Sequence, residues 1–312
     1  VSRYLLKRIL MVLLTLWIIV TLTFALMHMI PGDPFAAESG KLPKQVLANL
    51  RAKYHLDEPL PVQYVLYLKN LVTLDLGMSI KSDTRSVNDM IADGVSASAV
   101  LGTQALVISL VLGIFFGIVA ALNRSRGLDY LMMVLAIIGI SVPSFLMSPL
   151  LINYFAMKWP IFPVATWGTW MHTVLPSIAL AFGPLAVITR YMRTSMIDVL
   201  NQNYIRTAEA KGLPTRLIVI RHGIRNAIMP VVTFLGPLMA ALITGSFVVE
   251  KIFAIPGIGK YFVDGIFNRD YPVILGTTIF YSTVLILTIL LIDIAYTLID
   301  PRIKLNNKEG SG

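Results

Sequence analysis

The chain has 312 residues, 56% hydrophobic and 14% charged, with no cysteine and a mean hydropathy of +0.75. Soluble domains carry about a quarter charged residues, so an ordinary soluble enzyme is excluded, and the missing cysteines exclude disulfide frameworks, thiolate metal centres and thiol nucleophiles. The net charge of +9 is not a nucleic-acid footprint, because most lysines and arginines lie in short segments between long apolar runs.

A bilayer core of about 30 Å takes roughly 20 helical residues. Six runs meet that length, at 9–30, 97–122, 129–157, 173–192, 226–249 and 273–298. They predict an all-α, polytopic membrane protein with six transmembrane helices. Arg3, Lys7 and Arg8 precede the first run as they would in a signal peptide, but the run is too long for a signal's apolar region and no small-residue cleavage site accompanies it. It reads as a retained helix behind a short N-terminus, 1–8.

The segment 31–96 is too ordered in pattern to be a linker. Pro43 to Tyr54 has helical composition, and Pro61 opens a stretch with Val65, Leu68, Leu71 and Val72 at helical spacing until Asp75 and Gly77 stop it. Ser86 and Asp89 have the spacing of a capping box ahead of the second span. The segment reads as a small extracytoplasmic helical cap packed on the bundle; the sharper alternative is a platform that receives a partner protein or substrate. Within 97–122, Ala105, Ser109, Gly113, Gly117 and Ala121 recur every fourth residue, a small-residue stripe that lets another backbone approach closely. Pro143 and Pro149 in the third span, Pro176 and Pro184 in the fourth, and Pro230 and Pro237 near the fifth remove backbone donors and bend helices, which either shapes a bundle or opens a path through it.

Lysine and arginine in the short loops set the orientation. With the N-terminus inside, the inner face collects Arg3, Lys7, Arg8, Arg124, Arg126, Arg190, Arg193, Arg206, Lys211, Arg216, Arg221 and Arg225, and then Arg302, Lys304 and Lys308 of the tail 299–312. The short outer loops hold only Lys158, Lys251, Lys260 and Arg269. Both termini are therefore expected in the cytoplasm. The tail's last residues, Asn306 to Gly312, are polar and expected to be disordered.

Ion-coupled carriers place ionisable groups near the bilayer midplane. Here Asp293 lies toward the inner end of the last span and His28 toward the outer end of the first, so both read as interfacial or partner-satisfied. The four histidines never approach HExxH spacing, and no GxSxG elbow is present. The string AIPGIGKY, Ala254 to Tyr261, lacks the first glycine of a P-loop and has Tyr261 where Ser or Thr would hold magnesium. Catalytic, cofactor and metal residues are accordingly expected to be absent, and any nucleotide belongs to another chain.

The loop 193–225 is the most heavily punctuated part of the sequence. Asn201 and Asn203 are N-cap candidates, Tyr204 to Lys211 is helix-forming, and Gly212 with Pro214 is a stop. Tyr204, Ala208 and Gly212 recur at four-residue spacing, a face slim enough to enter a groove, with Arg206, Glu209 and Lys211 able to pair with polar groups around it. A second helix is expected from Thr215, carrying Arg221 and Arg225 one turn apart into the fifth span. The bland alternative is a solvated basic loop that only enforces topology.

The run Asn203 to Leu213, NYIRTAEAKGL, with Arg221-His222 and Arg225-Asn226-Ala227, resembles the cytoplasmic signature of ABC importer permeases of the dipeptide, oligopeptide and nickel branch. MIPGDP at Met29 to Pro34, LDEPLPVQY at Leu56 to Tyr64, LGMS at Leu76 to Ser79, ISVPSF at Ile140 to Phe145 and VVEKIFAIPGIGKYFVDGIFNRDYP at Val248 to Pro272 agree in order, so the likeness covers nearly the whole chain. Arg206 and Thr207 stand where the general ABC permease loop has Glu and Ala, so no role of that Glu carries over.

The resemblance implies a type I ABC importer permease fold in the bacterial cell membrane. The partners it implies are a second homologous permease, two cytoplasmic ATPase subunits that carry ATP and Mg, and an extracytoplasmic peptide-binding protein; membrane lipid surrounds the chain and no nucleic acid is involved. The helix around Tyr204, Arg206, Thr207, Ala208, Glu209 and Gly212 would couple to the ATPase, and Ser141, Pro143, Ser144, Gly236 and Pro237 would border the translocation path. The segment 250–272 either dips toward the cavity mouth or forms a packed outer hairpin. The implied cargo is an oligopeptide or dipeptide; a nickel or other small-solute permease of the same branch is the alternative, and an ion-coupled carrier working alone is disfavoured.

Overall fold

The computed structural model describes residues 2–29, 34–35, 43–82, 84–243 and 245–299, without the side chains of 2–7, 243 and 292–299. Asp293's side chain, the tail charges Arg302, Lys304 and Lys308, and Asn306 to Gly312 therefore lie outside the described residues. The chain divides into two compact units, Val1–Ala97 with Pro256–Ile286, and Ser98–Ile255 with Leu287–Gly312.

The first unit begins with α1 (Ser2–Met29), whose apolar part Arg8–Met29 is long enough to cross a membrane. Val20, Phe24 and Met27 are buried, at helical spacing, while Leu13, Leu14, Trp17, Leu22 and Leu26 point outward. That outward face is apolar, as a lipid-facing surface must be. Helices α2 (Lys44–Lys53) and α3 (Leu60–Val72) follow, each entered through a proline, Pro43 and Pro59, whose φ near −58° suits a helix start.

The packed face of α3 keeps only half of the spaced residues: Leu68 and Leu71 are half-buried beside Tyr64 and Tyr67, while Val65 and Val72 are 63% and 85% exposed. Two aromatic rings contribute more buried area than two valines, so the rings decide which side docks. They pack on a core of Phe24, Met27, Phe35, Leu47, Ile80, Tyr271, Ile274 and Leu275.

Helix α4 (Val87–Leu122) starts well before residue 97 and contributes to both units. The Ser86 hydroxyl accepts from the Asp89 N–H at 3.1 Å and donates to its carboxylate at 2.6 Å, so the expected pair caps the helix through mutual contacts of its own side chains. Later in the chain, α13 (Ile258–Asn268) and the part of α14 (Tyr271–Ile299) up to Ile286 close this unit. Gly94 admits α13: a Cβ there would lie 2.8 Å from the Ile258 backbone nitrogen. Asp270 holds the unit together, accepting from the Ser79 hydroxyl at 2.5 Å and from the Ile80, Lys81 and Val273 N–H groups. One carboxylate thus caps α14 and fixes the loop that leads to α4.

In the second unit α5 (Gly127–Ser141) and α6 (Ser144–Leu151), which continues as a wide π-helical turn Ile152–Lys158, pack on α7 (Met171–Leu200). Along α7, Leu175, Ala179, Ala186, Ile188, Met192 and Met196 are buried. The stripe on α4 meets it: Ala105, Ser109, Gly113, Gly117 and Ala121 are all buried, and a Cβ on Gly117 would lie 2.6 Å from Met192 Cβ. Gly139 on α5 plays the same part against Ala186. Helices α8 (Asn203–Ala210), α9 (Thr215–Ile218), α10 (Arg225–Ala227), α11 (Met229–Ile243) and α12 (Phe247–Ile252) complete the unit, with a π-helical turn Val219–Ile224 joining α9 to α10.

Among the described residues four helices are long and apolar enough to cross a membrane, and six spans result if each of two bent helix pairs counts as one. The architecture is the all-α, polytopic one the sequence predicted. Two of the six runs differ in form. The run 129–157 is bent by 105° between Ser141 and Ser144, and 226–249 gives way to a helix that ends at Ile243, ahead of Gly245 at φ +87°.

Candidate coupling and translocation site

Helix α7 stops at Leu200 because the Asn201 side chain donates back to the Ile197 carbonyl at 2.9 Å, and Gln202 then extends the chain at ψ 151°. Asn201 therefore closes α7 instead of opening α8, and Asn203 is already helical. The N-cap of α8 is Gln202, without a side-chain cap.

The far end of α8 is closed as the sequence predicted. Gly212 at φ +75° donates to the Glu209 carbonyl at 2.9 Å, and Leu213 donates to Ala208 at 3.3 Å. This pair of bonds, with Leu213 folded onto the helix, is a Schellman stop that needs a left-handed residue. Eight residues do not hold a helix in water. A hydrophobic seat holds this one: Ile205 (1% exposed) and Ala208 (7%) pack on Ile218, flanked by Leu200 and Leu213.

Ala208 thus faces the protein, and the expected outward stripe of Tyr204, Ala208 and Gly212 does not exist. The spacing that matters is Ile205 to Ala208, one turn, because the isoleucine has more apolar surface to bury. Tyr204, Arg206, Thr207, Glu209, Lys211 and Gly212 form the exposed surface. The next helix starts at Thr215, as expected, and Gly223 in its π-helical turn lets it cross α7, since a Cβ there would sit 2.5 Å from Met196 Cε. Arg221 and Arg225 remain exposed.

A second lock lies beside this seat. Asp129, 2% exposed at the start of α5, takes Arg193 of α7 in a two-pronged ion pair, with Nε at 2.5 Å and Nη2 at 2.7 Å. The Ser125 N–H donates to the same carboxylate at 2.9 Å. Such forked geometry fixes direction as well as distance. In the sequence Arg193 reads only as an orientation charge, and the signal for its partner is Asp129, a lone acid at the head of an apolar run. Glu250 was also missed: fully buried in α12, it accepts from the Ser98 hydroxyl at 2.8 Å.

The expected path residues fall in two places. Ser141, Pro143 and Ser144 form the elbow between α5 and α6, where Val142 is extended and Pro143 starts the next helix. Gly236 is buried and Pro237 exposed within α11. The 50° bend of that helix pair lies at Ile228, between Ala227 and Met229, so it belongs to Pro230 and not to Gly236–Pro237. A proline ring collides with the preceding turn and displaces the residue ahead of it. Both groups border helices that pack on α7. His28 is partner-satisfied, its ring nitrogens lying 2.8 Å from the Phe24 carbonyl and 3.2 Å from Gln63 Oε1. No three metal-binding side chains converge among the described residues.

Residues 113–305 match the family described as "Binding-protein-dependent transport system inner membrane component", and residues 1–91 match the N-terminal family of such membrane components. The dipeptide transport system permease protein DppB of Bacillus subtilis is 53% identical over 98% of this chain and 99% of its own length. The oligopeptide transport system permease proteins OppB of Haemophilus influenzae and Escherichia coli K12 are 44% and 42% identical over 97% of this chain and 99% of theirs.

Proposed function

The chain belongs to the family of inner membrane components of binding-protein-dependent transport systems, and from that premise we propose that it is the permease subunit through which dipeptides or oligopeptides enter the cell. ATP and Mg are bound and ATP is hydrolysed on two cytoplasmic partner subunits; a second, similar permease and an extracytoplasmic peptide-binding protein complete the assembly. The chain crosses the bacterial cell membrane several times with both termini in the cytoplasm.

In this reading 1–8 and 299–312 are cytoplasmic ends, 31–96 and 250–272 are extracytoplasmic, and 193–225 is the coupling loop between the spans of 173–192 and 226–249. Closure of the ATPase pair pushes α8 as a solid body, because its seat ties it to α7 through Leu200 and to α9 through Ile218. The Asp129–Arg193 fork passes the movement of α7 to α5. The elbow at Ser141, Pro143 and Ser144 and the stretch at Gly236–Pro237 border the path that opens alternately to each side. Tyr204, Arg206, Thr207 and Glu209 meet the ATPase, and Ala208 and Gly212 shape the helix behind them.

The observation that carries this reading is a short, capped helix held outside the spans by its own apolar seat, in a chain similar over its full length to peptide permeases. Copurification followed by uptake of labelled dipeptide, oligopeptide and nickel tests it. Peptide uptake that requires a second permease and two ATPase chains is the expected result; nickel uptake without peptide uptake, or accumulation by this chain alone under a proton gradient, overturns it.

A further inference from the structure

Helices α9 and α10, joined by their π-helical turn, form one rod, Thr215–Ala227, bent by 50° from Met229–Leu242 that follows it. One side of the rod is spent on the protein: Ile218, Val219, Gly223 and Ala227 are buried, Ile218 in the seat of α8 and Gly223 against Met196 of α7. The other side carries Arg216, Arg221 and Arg225, all exposed, with Leu217 and Ile220 among them at 38% and 54% exposure. Among the described residues none of these three arginines has an ion-pair partner.

Charge and patterning select what covers this side. No Asp or Glu occurs between Glu209 and Glu250, so the rod is cationic throughout, whereas the exposed surface of α8 mixes Arg206 and Lys211 with Glu209. The apolar residues are interleaved with the cations and do not gather into a patch of their own. Water would leave Leu217 and Ile220 wetted, and hydrocarbon would leave the guanidinium groups unpaired. The headgroup layer of a bilayer suits both, with the apolar side chains toward the acyl chains and the arginine stems reaching up to phosphate. The rod leads directly into the apolar run 226–249, which places it where that layer begins.

We propose that this face of Thr215–Ala227 docks on the inner leaflet of the membrane and that Arg216, Arg221 and Arg225 bind the phosphates of anionic phospholipid. Ile218 of the same rod belongs to the seat of α8, so anionic lipid steadies that seat from its far side. The proposal rests on the topology proposed above, in which 193–225 is cytoplasmic.

The chain has no cysteine, so Ile220→Cys takes a single nitroxide label. Power-saturation EPR of the full chain in nanodiscs reads the label's immersion, in phosphatidylcholine alone and in phosphatidylcholine mixed with phosphatidylglycerol. In the mixed bilayer oxygen should reach the label better than a water-soluble nickel chelate does, and in phosphatidylcholine alone the order should reverse. An arginine at an anionic surface contributes about fivefold, so Arg216→Gln, Arg221→Gln and Arg225→Gln together should lower the docked-to-undocked ratio by about a hundredfold. The melting temperature should not fall, because no ion pair is lost. A label exposed to water in both bilayers, equal immersion in both, or unchanged immersion in the triple variant overturns the proposal. So does a label covered only when the ATPase subunits are added, which makes the face a protein contact. Sidedness is read separately, with a membrane-impermeant maleimide on Lys211→Cys in sealed vesicles. Reaction from the outer side overturns the topology and the proposal with it; reaction from the inner side without immersion at Ile220→Cys overturns this proposal alone.

Discussion

Replacing Ile205 with Ala separates the seat of α8 from its outward surface. Ile205 is 1% exposed, so the substitution removes three buried carbons at about 0.8 kcal/mol each and leaves a void, a loss of roughly 2–4 kcal/mol. An eight-residue helix has no stability of its own, so the loss falls on the docked state and shifts the docked-to-undocked ratio by roughly 30- to 700-fold, at 1.4 kcal/mol per tenfold. Hydrogen exchange of the Leu213 amide, which donates to Ala208, should quicken by a comparable factor, and ATP-driven peptide uptake by the reconstituted complex should fall with it. Tyr204→Ala, on the exposed side, should leave exchange unchanged while weakening ATPase docking. Wild-type exchange in Ile205→Ala refutes the seat; fast exchange with full uptake refutes the lever.

The remaining predictions test other joints. Arg193→Met leaves the buried Asp129 carboxylate without its fork and should cost about 3–5 kcal/mol in detergent unfolding, whereas adding Asp129→Leu should recover most of that, since a paired charge replaced by apolar groups is often neutral. Gly117→Ala places a Cβ 2.6 Å from Met192 Cβ and should destabilise by about 1–3 kcal/mol, while Gly127→Ala, which meets nothing within 4 Å, should stay within about 0.5 kcal/mol in the same unfolding assay. Asp270→Ala orphans the Ser79 hydroxyl and the Ile80 N–H in a buried site. It should cost about 2–4 kcal/mol and expose Lys81 and Arg85 to trypsin, with an unchanged digestion pattern counting against the network.

Much of this protein was legible one segment at a time. The long apolar runs, the proline that opens α2, the small-residue stripe on α4 and the glycine that ends α8 are local signals, because helix length, φ limits and close backbone approach are properties of neighbouring residues. The stripe was readable for a further reason: inside a bilayer, close packing needs small side chains whatever the partner is.

Facing was not legible, and its physical cause is the solvent. Lipid is as apolar as a protein core, so hydrophobicity along a span does not say which side turns inward. On the short helices the difference came down to area: Tyr64 and Tyr67 outcompeted Val65 and Val72, and Ile205 drew Ala208 in with it. The partners of Asp129 and Asp270 lie far away in sequence, at Arg193 and Ser79, and only the packed chain brings them within hydrogen-bond reach. The sequence by itself determined that helices form, where α8 stops and that the long runs suit a membrane. The tertiary structure decided which faces meet, how far the elbow at Pro143 bends and which charges are spent on holding α5 and α14, because those outcomes depend on burial shared between segments and not on any one of them.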